Sequence, residues 1–295
     1  MDEIPLGDEE YNEILMHRDS HFSGKFDEMI SYYQKIGRGV QEKIDLRKIL
    51  ELADWEATMK QNAAAILLSA NEIEQIASAK KAYRSLQDLY LKELSDNHPQ
   101  KLIADLILTE SEDPIAEREA IIRQKEILVP LLIDLLKSNE MHNPLFPGYG
   151  LTPIEVAKCL GEIGDSKALF PLFEELGKGD FFDDEMLIKA FKSLGDPAKD
   201  FLLKIVGTEP ITSDNEKAAI ALSAFKNDLS ILESSLTLLK NPSMQKEYPY
   251  SGYLAHLFDE INDPKLKESY KEIAYGEKTP KPLKMEMDIV IKQWE

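Results

Sequence analysis

Along the second half of the chain, apolar residues recur at steps of three and four: Val156, Leu160 and Ile163, then Leu187, Phe191 and Leu194, then Leu254, Phe258 and Ile261. That spacing gathers each set on one face of a helix. Each stripe ends in Gly or Asn followed by Asp, in "LGEIGD" (Leu160 to Asp165), "FKSLGD" (Phe191 to Asp196), "AFKND" (Ala224 to Asp228) and "FDEIND" (Phe258 to Asp263). Gly and Asn tolerate the left-handed backbone that ends a helix, and Asp accepts hydrogen bonds from the free N–H groups that open the next one. The pair is a stop joined to a start. From Gly164 the steps to Gly195, Asn227 and Asn262 are 31, 32 and 35 residues, which is a repeat period.

A second amphipathic segment follows each Asp: "SKALFPLFEELGKG", "PAKDFLLKIVG", "LSILESSLTLLKN" and "PKLKESYKEIA". Upstream, "ILVPLLIDLLKS" (Ile127 to Ser138) matches "ALFPLFEEL" (Ala168 to Leu176), proline included, but Pro130 to Pro171 is 41 residues, longer than any later step. The surplus is a Pro- and Gly-rich insertion at 142–151, inside "EMHNPLFPGYGLTPIEV" (Glu140 to Val156).

These units, and "CLGEIGDSKALFPLFEEL" (Cys159 to Leu176) above all, resemble HEAT repeats of the short type found in phycobilin lyase subunits. The resemblance covers roughly 102–295. It implies an all-α fold, an α-solenoid of antiparallel helix pairs whose second helices line the concave face, and a class that mostly binds proteins.

The remaining segments complete the predicted organisation. The last segment, "TPKPLKMEMDIVIKQWE", alternates like a strand at Met285, Met287, Ile289 and Ile291, yet Leu283, Met287, Val290, Ile291 and Trp294 fit a helix. Its Thr279-Pro280 opening repeats Thr152-Pro153, and proline suits a first helical position, so it is read as a C-terminal capping helix. Residues 1–100 lack the period and read as a separate N-terminal helical region, with 101–295 as the solenoid. In it, "SGKFDEMISYYQKIG" (Ser23 to Gly37) is one helix, and a helical hairpin follows, with Asn71 as the break or cap between Leu46, Ile49, Leu50, Ala53 and Met59 on one side and Ile73, Ile76, Tyr83, Leu86 and Tyr90 on the other. The first sixteen residues hold six acids and no base, and read as a solvated or partly ordered arm.

Charge narrows the function classes. Thirty-five basic against 54 acidic residues give −19, unfavourable for the phosphates of nucleic acid or an anionic membrane surface. No apolar run reaches the roughly 18 residues of a membrane span, and the acidic N-terminus is unlike a signal peptide, so a cytoplasmic protein is expected. The single cysteine, Cys159, sits in a helical stripe as a small buried residue with nothing beside it to activate the thiol.

The sequence advertises no chemistry. "HRDSHF" sets His17 and His21 four apart, but two ligands do not make a zinc site, and the Asp, Ser and Gly around them suggest a loop. The His-Glu pairs of HEAT-like di-iron hydroxylases are absent, since Arg, Phe, Pro, Asn and Leu follow the five histidines. "GRG" (Gly37 to Gly39) and "GKGD" are too short for phosphate loops and read as helix terminators. No cofactor or metal is expected, and no catalytic residue.

Repeat register supplies the binding candidates. Six residues before each stop lie Lys158, Lys189, Ala221 and His256, a potential basic row. Nine before lie Glu155, Met186, Ala218 and Tyr253. In the insertion, Phe146 and Tyr149 either meet a partner or pack the loop onto its neighbours. The expectation is a non-enzymatic helical-repeat scaffold holding another protein on its concave face. The alternative is an accessory lyase-like or chaperone-like factor acting on a bound protein; repair of nucleic acid by a HEAT-like glycosylase conflicts with −19.

Overall fold

The computed structural model describes residues 9–179 and 181–294, and among them every regular element is helical. The chain divides into two compact units, 1–156 and 157–295, with the division inside one helix rather than near residue 100.

The first unit contains α1 (Glu9–His21), α2 (Phe26–Gln34), α3 (Leu46–Met59), α4 (Ala63–Leu67), α5 (Ala70–Gln87), α6 (Pro99–Leu108), α7 (Ile115–Ile122), α8 (Val129–Leu136) and the start of α9 (Thr152–Ile163). Two expectations change here. The acidic stretch is helical from Glu9 onward and runs through His17 and His21 without a loop, while 1–8 lie outside the described residues. Tyr11, Ile14, Leu15 and Met16 are buried on α1, but so are His17, Arg18 and Ser20, so the inward face is half polar and presents no clean apolar stripe. Asn71 neither breaks nor caps the hairpin. It lies inside α5, and the start signal is Ser69, whose hydroxyl accepts from Glu72 N while Glu72 accepts from Ser69 N, a reciprocal capping box.

Arg18 is the hub of this unit. Its side chain is 0% exposed, its Nε donates to Asp19 Oδ1 (2.7 Å) and its Nη1 to Glu56 Oε1 (2.7 Å), and the guanidinium carbon lies 4.5 Å from the Phe26 ring centre. Glu56 also accepts from Ala63 N, so one carboxylate ties α1, α3 and the start of α4 together. Around these groups pack Ile14, Leu15, Met29, Ile49 and Leu52.

The second unit continues with α10 (Leu169–Glu175), α11 (Phe181–Leu194), α12 (Asp196–Val206), α13 (Ser213–Ala221), α14 (Leu229–Lys240), α15 (Tyr250–His256), α16 (Pro264–Ala274) and α17 (Lys281–Gln293). The final segment is thus a helix, burying Leu283, Met287, Val290 and Ile291. Helices contact their successors from α10 to α13 and again at α14–α15 and α16–α17. A second set of contacts skips one helix: α12–α14, α13–α15, α14–α16 and α15–α17.

The punctuation is visible in the backbone. Gly164, Gly195 and Asn227 all have positive φ (77°, 69° and 73°), whereas Asn262 does not join them. Asp165, Asp228 and Asp263 cap the next helix through their carboxylates. Asp196 is instead the first residue of α12 and pairs with Lys199. The other glycine of "LGEIGD" has its own cause: a Cβ on Gly161 would lie 2.9 Å from Ala190 Cα, so its absence lets α9 and α11 approach closely. Between α12 and α13, buried Asn215 donates to the carbonyls of Ile205 (2.8 Å) and Thr208 (2.9 Å) and accepts from Thr212 N (2.8 Å), closing the connection.

Candidate functional site

The insertion packs inward within the first unit. Phe146 is 6% exposed and Tyr149 8%, which answers the open choice in favour of packing. Tyr149 has φ 58° between Gly148 (85°) and Gly150 (80°), so three successive residues are left-handed, a costly state for a bulky side chain. The ring that this backbone delivers sits 4.7 Å from the His21 ring and 6.5 Å from that of His17. Its hydroxyl donates to Glu110 Oε1 (2.7 Å), and Tyr32 donates to Glu110 Oε2 (2.6 Å).

The left-handed residue that follows α2 is Ile36 (φ 53°), not a glycine of "GRG", whose glycines serve another purpose. A Cβ on Gly39 would lie 2.3 Å from the Tyr149 ring, and one on Gly37 2.3 Å from the Tyr32 ring. Both glycines make room for an aromatic ring, and Gly39 N donates to Tyr32 Oη (2.8 Å).

The two histidines behave differently. His21 Nε2 lies 2.8 Å from the Pro144 carbonyl, which only accepts, so Nε2 carries the proton and Nδ1 accepts from the Tyr83 hydroxyl (2.7 Å). Burial pushes this imidazole down to about 4, against the Pro144 bond that favours the charged form. His17 is 1% exposed, its ring faces the Gly39 backbone, which favours the charged form, and its centroid is 4.6 Å from His21. Burial, followed by the neighbouring His21, holds it well below the usual histidine range. Beside this cluster lies a cavity of about 450 Å³ lined by Ser20, His21, Lys80, Tyr83, Arg84 and Tyr149, among others.

In the second unit, a groove of about 510 Å³ crosses α11, α13 and α15. Ile188, Ala219, Ile220 and Leu257 form its floor, Tyr253 a wall, and Asp184, Glu185 and Asp259 its acidic rim, with Lys226 and His256 beside them. Two of the candidates from repeat register, Tyr253 and His256, therefore fall in one depression.

The rest are distributed otherwise. Glu155 is 5% exposed and its Oε2 lies 2.6 Å from Arg118 Nη1, so it is committed inside its own unit. Met186 and Ala218, its counterparts in the row, are buried as well. Lys158 is half-buried, Lys189 is exposed but sits 2.6 Å from Glu185 Oε1, and Ala221 is buried. His256 bonds to Asp259 Oδ1 and Glu286 Oε2, each at 3.1 Å, and its ring holds the Glu286 carboxyl below the ordinary range. The expected basic row is thus interleaved with carboxylates. Sequence reasoning found one column of the groove and missed its floor, because Ile188 and Ile220 carry no repeat-specific signal.

Cys159 is fully buried. Among the described residues no group of three or more His, Cys, Asp or Glu is placed to hold a metal ion, and no helix is long and apolar enough to cross a membrane. Nothing matches the chain in comparisons with protein-family models, curated proteins and solved structures.

Proposed function

We propose that this protein is a non-enzymatic helical-repeat scaffold of HEAT type, an α-solenoid of antiparallel helix pairs, that holds a segment of another protein in the groove across α11, α13 and α15. The groove itself carries the reading: an apolar floor of Ile188, Ala219, Ile220 and Leu257 under a rim of Asp184, Glu185 and Asp259. An apolar floor favours an inserted aliphatic or aromatic side chain, and the rim favours Lys or Arg on either side of it. A basic amphipathic helix fits both demands. The contacts that skip one helix, and the turns at Gly164, Gly195 and Asn227, support the repeat architecture.

Ile220 is half-buried in the floor, so a charge placed there leaves the core intact. Ile220→Lys fills the groove and opposes a basic segment. Loss of a central anchor contact costs about 2 kcal/mol or more, roughly thirtyfold in affinity. The test is affinity capture with the wild type and Ile220→Lys side by side, at low and high salt. A protein held by the wild type, lost from the variant and weakened by salt is the expected result. Equal retention by both, or retention of no protein, overturns the reading.

A further inference from the structure

The cavity beside Tyr149 in the first unit is lined by two cations, Lys80 and Arg84, and two carboxylates, Asp19 and Glu110. Lys80 and Arg84 stand one helical turn apart on α5, line it, and pair with no acidic side chain among the described residues. Ser20 lines it too, 7% exposed, with a hydroxyl that has no hydrogen-bond partner. The two carboxylates present are already engaged. Asp19 Oδ1 accepts from Arg18 Nε at 2.7 Å, and Glu110 accepts the hydroxyls of Tyr149 and Tyr32. A buried hydroxyl left unmatched is costly, and the half-buried Lys80 and exposed Arg84 remain available to a ligand from solvent.

We propose that this cavity is a binding site for a small phosphate monoester with a flat apolar body, its phosphate held by Lys80, Arg84 and Ser20. The guanidinium fork and the ammonium together match a dianion with three oxygens better than a carboxylate with two. Tyr83 and Tyr149 supply aromatic walls, and about 450 Å³ leaves room for more than the phosphate, within the usual range for small-ligand sites. Asp19 and Glu110 oppose a bare anion, so the organic body supplies part of the affinity. The left-handed Gly148–Tyr149–Gly150 turn fixes one of these walls.

Phenyl phosphate, inorganic phosphate and benzoate, titrated calorimetrically into the full chain, test the site. Phenyl phosphate is expected to bind at least tenfold more tightly than either of the others. Lys80→Ala with Arg84→Ala is expected to weaken it at least tenfold, and Ser20→Ala several-fold, with thermal unfolding of the double variant unchanged because neither side chain is buried. No binding of phenyl phosphate at about 10 mM, equal binding of benzoate, or undiminished binding by the double variant overturns the proposal. Ile220→Lys should leave this affinity untouched, so the outcome is separate from that of the groove.

Discussion

Arg18→Ala is expected to lower the unfolding free energy by about 3–5 kcal/mol, the usual cost of removing one partner of a buried ion pair. The arginine is fully buried between Asp19, Glu56 and the Phe26 ring. Truncation deletes two charge-assisted hydrogen bonds, opens a cavity under Phe26, and leaves two carboxylates facing it. Arg18→Met fills most of that volume with an apolar side chain. Because Asp19 and Glu56 keep about a fifth of their side chains exposed (19% and 20%), they turn to water and the loss is smaller. Urea unfolding followed by the fluorescence of Trp55, which packs against this core, reads both variants. An Arg18→Ala protein within about 1 kcal/mol of the wild type would show that the hub contributes no more than an exposed pair.

Acid should destabilise the first unit from about pH 6.5 downward, through its two buried histidines. His21 titrates at about 4 when folded, against 6.5 for the unfolded group, and His17 is shifted in the same direction. A depressed histidine means that the unfolded state binds more protons below the unfolded value. The stability contributed is therefore complete above pH 6.5 and is lost as pH falls from 6.5 towards 4. For His21 alone the shift corresponds to about 3 kcal/mol. Protonation would place a charge beside His17 and Tyr149 and turn Nδ1 into a donor facing the Tyr83 hydroxyl, with Lys43 adding to the repulsion at His17. Acid loss through Asp228, which is held down to about 2 by Ser230 and Lys199, belongs to a lower window, below the ordinary Asp value. His21→Gln retains an amide N–H for Pro144 and removes the titration, so its stability should be flatter between pH 6.5 and 4. If wild type and His21→Gln lose stability in parallel across that range, the histidine is not responsible.

What the sequence made legible was local. A helix stop needs one residue in the left-handed region and a start needs one side-chain acceptor, so Gly164 with Asp165 and Asn227 with Asp228 announce themselves within two positions. Asp196 shows the limit, since the same dipeptide places its Asp inside the helix rather than before it. The first unit was opaque because its organisation is not local. His17, Tyr32, Tyr83, Glu110 and Tyr149 come from different segments, and no spacing rule links them. Helix α1 hid itself by burying Arg18 and His17 on the face that a periodicity argument expects to be apolar. The groove was half legible: register picked out Tyr253 and His256, but burial of Glu155, Met186 and Ala218 depends on how each helix is rotated about its axis.

The contact between Gly39 and Tyr149 makes two distant positions one unit of inheritance. A methyl group at 39 and a ring at 149 claim the same space, 2.3 Å apart. A relative with a side chain at the first position must therefore carry a smaller residue at the second, and with it lose the need for left-handed glycines at 148 and 150. Gly39 and the Gly148–Tyr149–Gly150 turn should therefore change together.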